Sequence, residues 1–119
     1  YQHQEESFTP LEETLEVLDE QVRAGKIRHI GLSNTPAWYL ARAQTVAELR
    51  GLERIAAVQL EYSLVECNIE REHIPAALEL GIGVCPWSPL AGGFLAANPM
   101  VEPKQPGAGF CAGLRLAGR

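Results

Sequence analysis

A chain of 119 residues, 46% hydrophobic and 21% charged, has room for one small domain with a core to bury; two full domains, a disordered tail and a fibrous repeat do not fit. Ten Lys and Arg against fifteen Asp and Glu leave a net charge of -5, which disfavours nucleic acid and an anionic membrane as partners. No run of about 18 apolar residues occurs, and three cysteines without a CxxC pair indicate neither a disulfide framework nor a zinc knuckle, so a cytoplasmic setting is the expectation.

In chain order, Tyr1-Gln2-His3 reads as the end of a strand whose beginning lies upstream. Thr9-Pro10-Leu11-Glu12 places a hydroxyl at N-cap, proline at the first helical position and a carboxylate at the third, which predicts a helix start. Leu11, Leu15, Leu18 and Val22 continue it as one apolar stripe that stops at Gly25, a residue suited to the left-handed turn after a helix. Glu12, Glu13, Glu16, Asp19 and Glu20 are expected on its solvated face. A strand over Lys26–Ser33 follows, then Thr35-Pro36 as a second cap and a helix running to Arg50-Gly51. Ile55–Leu60 is the next strand. Pro75 excludes one unbroken helix from Ile69, so a turn is expected first, with Pro75 in the opening turn of a helix ending at Leu80-Gly81. Ile82–Pro86 is a further strand, with a glycine-rich loop behind it from Trp87 to Gly93.

Strand starts near 27, 56 and 82 recur close to the roughly 31 residues per unit of an eight-unit βα barrel. By that period the chain supplies about four units, half of a closed barrel. A doubly wound open sheet has the same rhythm, but Gly31-Leu32-Ser33 is not its GxGxxG phosphate motif and no Walker pattern is present. In a βα barrel chemistry sits at the carboxyl ends of the strands, which here are His3, Ser33-Asn34, Gln59 to Tyr62 and Trp87-Ser88.

The runs YQH, TPLEETLEVLDEQVRAGKIRHIGLSN, VQLEYSLVE and GIGVCPWSPLAGGFL resemble the aldo-keto reductase family, in particular its branch of bacterial general reductases and potassium-channel β-subunits. The resemblance covers residues 1 to about 95 and rests on four motifs in the family's order. It implies an α/β fold, part of a TIM (β/α)8 barrel from about the fourth strand's end through the seventh strand and its loop. Residues 96–119 form a loop-like tail that departs from the family. It also implies NADP(H)-dependent reduction of an aldehyde or ketone, a small-molecule carbonyl substrate, without a metal.

Residue by residue, the resemblance places the family's catalytic histidine at His3, where a neutral imidazole orients the substrate carbonyl. The tyrosine, lysine and aspartate that act with it would belong to strands preceding Tyr1, and neither Tyr1 nor Tyr62 stands for that tyrosine. Ser33, Asn34 and Gln59 would satisfy the nicotinamide carboxamide, which offers one acceptor and two donors. Trp87 would stack on the nicotinamide ring, and the backbone at Ser88, Leu90 and Gly92 would approach the pyrophosphate. The plainer alternatives are a polar turn at Ser33-Asn34, an interior amide at Gln59, a core or interface tryptophan at Trp87 and an ordinary Gly/Pro turn behind it. Glu61 reads as a salt-bridge or lining residue, and His29 and His73 lack ligand-spaced partners, so no metal site is expected. The expectation is thus a partial oxidoreductase that is inactive by itself; a non-catalytic cofactor-sensing subunit and a truncated remnant are the alternatives.

Overall fold

The computed structural model describes residues 2–3 and 9–96. A short strand β1 (Gln2–His3) is followed by α1 (Leu11–Arg23), β2 (Ile30–Ser33), α2 (Ala37–Arg50), β3 (Ile55–Glu61), α3 (His73–Leu80) and β4 (Gly83–Trp87), with 3-10 turns at Asn68–Glu70 and Ala91–Ala96. The strands form one four-stranded parallel sheet in the order β1-β2-β3-β4. Parallel neighbours require a crossover between them, and the helices supply it.

All three helices bury their apolar residues against one face of the sheet. Leu11 and Leu15 of α1, Tyr39, Leu40 and Ala43 of α2 and Ala77 of α3 form a core with Ile30, Leu32, Ile55, Val58 and Leu60. The α1 stripe is the one expected, with Leu18 and Val22 packed at its margin. The paired Leu32, Val58 and Val84 mark the helix-facing side of the strands. Their alternate neighbours Ser33, Gln59 and Cys85 therefore face the other way.

The register between β2 and β3 shifts by one residue: Ile30 pairs with Ile55, but Gly31 pairs with Ala57. Ala56 is the extra residue of this bulge. It explains how Ile55 and Val58, three apart, can both be buried at 2% and 0% exposure in a structure whose side chains alternate with period two.

The helix ends follow the glycines and the helix starts do not follow the threonines. Gly25, Gly51 and Gly81 adopt φ of 71°, 65° and 66°, the left-handed conformation in which glycine carries no Cβ penalty. After α1, the amides of Lys26 and Ile27 bond back to the Gln21 carbonyl, at 3.0 and 3.4 Å. Those residues complete the helix end, so β2 begins at Ile30 rather than Lys26. At the other termini Pro10 and Pro36 occupy the capping position without a side-chain cap, and Thr9 and Thr35 lie outside the helices. The Pro10 and Pro36 carbonyls accept the Thr14 and Leu40 amides at 3.1 Å each. The Thr35 hydroxyl is buried and has no partner among the described residues.

The acidic face of α1 is only partly solvated. Asp19 is 7% exposed, accepts the Glu53 amide at 2.8 Å and pairs with Arg23 Nε at 2.6 Å. Glu12 and Glu16 reach across to Arg42 and Arg50 of α2. Gln44, 1% exposed on α2, accepts the Ile55 amide at 2.9 Å and so anchors the first residue of β3.

Candidate functional site

The carboxyl ends of the parallel strands gather the polar residues that the sequence singled out. His3 is in register with Ser33, Ser33 with Gln59, and Gln59 with Cys85, so one row crosses the whole sheet. One step toward the strand starts lie Gly31, Ala57 and Gly83, also paired with one another. Small residues thus underlie the polar row on the face away from the helices. One step beyond it, Glu61 pairs with Trp87.

Two hydrogen bonds tie the loop after each strand to the next strand. The Asn34 amide donates to the Gln59 carbonyl at 3.0 Å, and the Tyr62 amide to the Trp87 carbonyl at 3.2 Å. Asn34 leaves β2 with φ 53°, a left-handed conformation that asparagine tolerates better than most residues. Its side-chain oxygen accepts the Trp87 indole N–H at 3.0 Å. This bond joins two predicted site residues 53 positions apart, and nothing in their spacing announces it.

Further out, Tyr62 donates its hydroxyl to Glu70 at 2.6 Å, which secures the loop between β3 and α3. That hydrogen bond, then desolvation and the Glu70 charge, holds the Tyr62 phenol above the ordinary tyrosine range. Ser63 Oγ accepts the amides of Val65 and Glu66, fixing the bend in the same loop. His73 Nε2 donates to the Thr35 carbonyl at 2.9 Å and so connects α3 to the β2–α2 loop. Sequence reasoning missed this structural use of His73; its signal is the step of a polar residue at the start of a helix facing a neighbouring loop. His29 is exposed. Among the described residues no group of three His, Cys, Asp or Glu gathers as metal ligands.

Behind β4 the backbone turns repeatedly through positive φ, at Ser88 (56°), Ala91 (49°), Gly92 (65°) and Gly93 (97°). The Ala91 amide donates to the Ser88 carbonyl at 2.8 Å and those of Gly93 and Leu95 to the Leu90 carbonyl at 3.0 and 3.1 Å. A Cβ built at Gly92 would meet nothing within 4 Å. Within this chain glycine there supplies conformation rather than clearance. Leu90 is 54% exposed and Trp87 37%. Of the tail expected over residues 96–119, Ala96 ends the 3-10 turn, and residues 97–119 lie outside the described residues, as does Tyr1. No described helix is long and apolar enough to cross a membrane.

The sequence profile of the Aldo/keto reductase family matches residues 1–107. The uncharacterized oxidoreductase YrpG of Bacillus subtilis is 44% identical over 98 residues, which cover 82% of this chain and 30% of that protein. A probable aldo-keto reductase 1 of Glycine max is 40% identical over 102 residues, covering 86% of this chain and 28% of the relative. Among solved structures, a protein provisionally described as 2,5-diketo-D-gluconic acid reductase B superposes with a TM-score of 0.70 at 29% identity, over 82% of this chain and 32% of its own. The chain therefore spans about three tenths of the length of the relatives it matches.

Proposed function

The chain belongs to the aldo/keto reductase family, and from that premise we propose that it carries the nicotinamide end of an NADP(H) site in a cytoplasmic oxidoreductase that reduces aldehydes or ketones to alcohols. Within the family we assign it to the branch of bacterial general reductases and potassium-channel β-subunits, on the four motifs quoted above taken together. Residues 1–95 correspond in this reading to the stretch from the fourth strand's end to the loop after the seventh, and residues 96–119 to a loop-like tail whose first part, to residue 107, still falls within the family match.

The observation that supports the reading best is the polar row at the strand ends, with Ser33 and Gln59 paired in register and the Asn34–Trp87 bond at the same end of the sheet. A carboxamide needs both an acceptor and donors, and a hydroxyl with two side-chain amides can present both. The residues present fit that group. Ser33, Asn34 and Gln59 would hold the carboxamide, the Trp87 indole would lie against the ring, and the turns at Ser88, Leu90 and Gly92 would take the pyrophosphate. When bound, the reduced cofactor supplies the hydride that adds to the carbonyl carbon. His3, in register with Ser33, would donate to the carbonyl oxygen and orient it; such positioned donors are worth factors of about 10² to 10⁴.

In this reading the tyrosine, lysine and aspartate that act with His3 belong to strands preceding Tyr1. We therefore expect the chain by itself to bind NADPH without turning over a carbonyl. Titration of the purified chain with NADPH, followed by nucleotide fluorescence, should show saturable binding; its absence overturns the cofactor assignment. Steady NADPH oxidation with a reactive aldehyde, abolished by His3→Ala, would overturn the expectation of inactivity.

A further inference from the structure

We infer that Asn34 is a positioning residue for Trp87, holding the indole plane across the carboxyl end of β3, and that its influence on nicotinamide binding runs through that ring. The inference rests on the cofactor reading above and revises one part of it: Asn34, whose side-chain oxygen is taken by the indole, acts through the ring, and Ser33 and Gln59 keep the carboxamide. Indole nitrogen can only donate, so the 3.0 Å contact identifies the Asn34 partner as its carbonyl oxygen. Asn34 follows β2 and Trp87 ends β4, on opposite sides of β3. Two strand spacings separate them, about 10 Å. The bond closes across that distance only if the indole extends from β4 over the end of β3 toward β2. The ring is thereby placed on the side of the sheet end that carries Ser33 and Gln59.

Among the described residues the buried core does not hold it there. Trp87 is 37% exposed and stands outside the buried core, so its two side-chain torsions would otherwise sample several wells. Its backbone is fixed by the β3 pairing and by the Tyr62 amide; Asn34 fixes the far end. The left-handed backbone of Asn34 fits the same purpose. A residue continuing the strand would project to one face or the other, whereas φ 53° re-aims the side chain at the sheet's end. Its amide, bonded to the Gln59 carbonyl, keeps that turn against β3.

The test uses the full chain in a Trp38→Phe background, where Trp87 is the single tryptophan. The indole N–H of Trp87 should exchange with solvent roughly 3- to 10-fold faster in Asn34→Gly than in the parent, the loss expected for one net hydrogen bond. Glycine keeps the backbone conformation while removing the acceptor, and Asn34→Asp, which retains an acceptor oxygen, should restore protection. Unchanged exchange in Asn34→Gly overturns the inference. The second arm is a cycle of NADPH affinities with Trp87→Phe, which keeps an aromatic face but has no N–H. Asn34→Gly should weaken binding several-fold in the Trp87 protein and have little further effect in the Trp87→Phe protein. Equal losses in both backgrounds would mean that Asn34 acts on the cofactor directly, and would overturn the inference while sparing the cofactor reading. Absence of NADPH binding to the parent overturns both.

Discussion

Single residues set the chemistry of the strand ends, and Tyr62 shows how. Its phenol donates to Glu70, and this bond favours the protonated form, so its ionisation is delayed above the ordinary tyrosine range. The stabilisation is then complete below the unfolded tyrosine value near 10 and is lost as pH rises through the higher folded value. A spectrophotometric titration should show Tyr62 ionising late, and Glu70→Gln should bring it back toward the ordinary tyrosine range. A Tyr62 that titrates normally in the parent would remove the link. Asp19 carries a related lesson. At helical spacing it reads as one more solvated carboxylate of α1, yet it is buried and caps the Glu53 amide. What decides its role is a chain segment 34 residues away, and no local pattern contains that information.

At the scale of elements, glycines and prolines delimit the structure more reliably than the capping hydroxyls. The three helices end at Gly25, Gly51 and Gly81 because positive φ is a property of the residue itself. Helix entry depends on what lies around it. Thr35 is buried, its carbonyl serves His73, and its hydroxyl finds no partner among the described residues. Thr35→Val should therefore leave the melting temperature unchanged or raise it, by up to about 1 kcal/mol of stability. A loss of similar size would mean that the hydroxyl caps α2 after all. Element order and every helix were legible in the sequence, as was the placement of polar residues at strand ends. The β3 bulge and the Asn34–Trp87 bond were not, since IAAVQL does not tell which alanine is extra, and a bond between two strand ends depends on a sheet order that periodicity alone cannot supply.

For the molecule as a whole, the helices cover one face of the sheet and no described helix covers the other. Gly31, Ala57 and Gly83 line that second face, and among the described residues β1 and β4 are each paired along one side only. Exposed parallel edges and a face of small residues favour association. Sedimentation velocity of the purified chain should show a weight-average coefficient that rises with concentration. A constant monomer value over a hundredfold range would contradict this.

The bulge at Ala56 has a bearing on how the family's sequences can change in length. In β2 or β4, removal of one residue would turn every later side chain to the opposite face. In β3 the loss of Ala56 would only take up the slack: Val58 and Leu60 would still meet the helices and Gln59 would still face away from them. The strand that carries Gln59 thus contains an internal site where a single-residue deletion is absorbed, so homologous chains can differ there without moving the amide from its place.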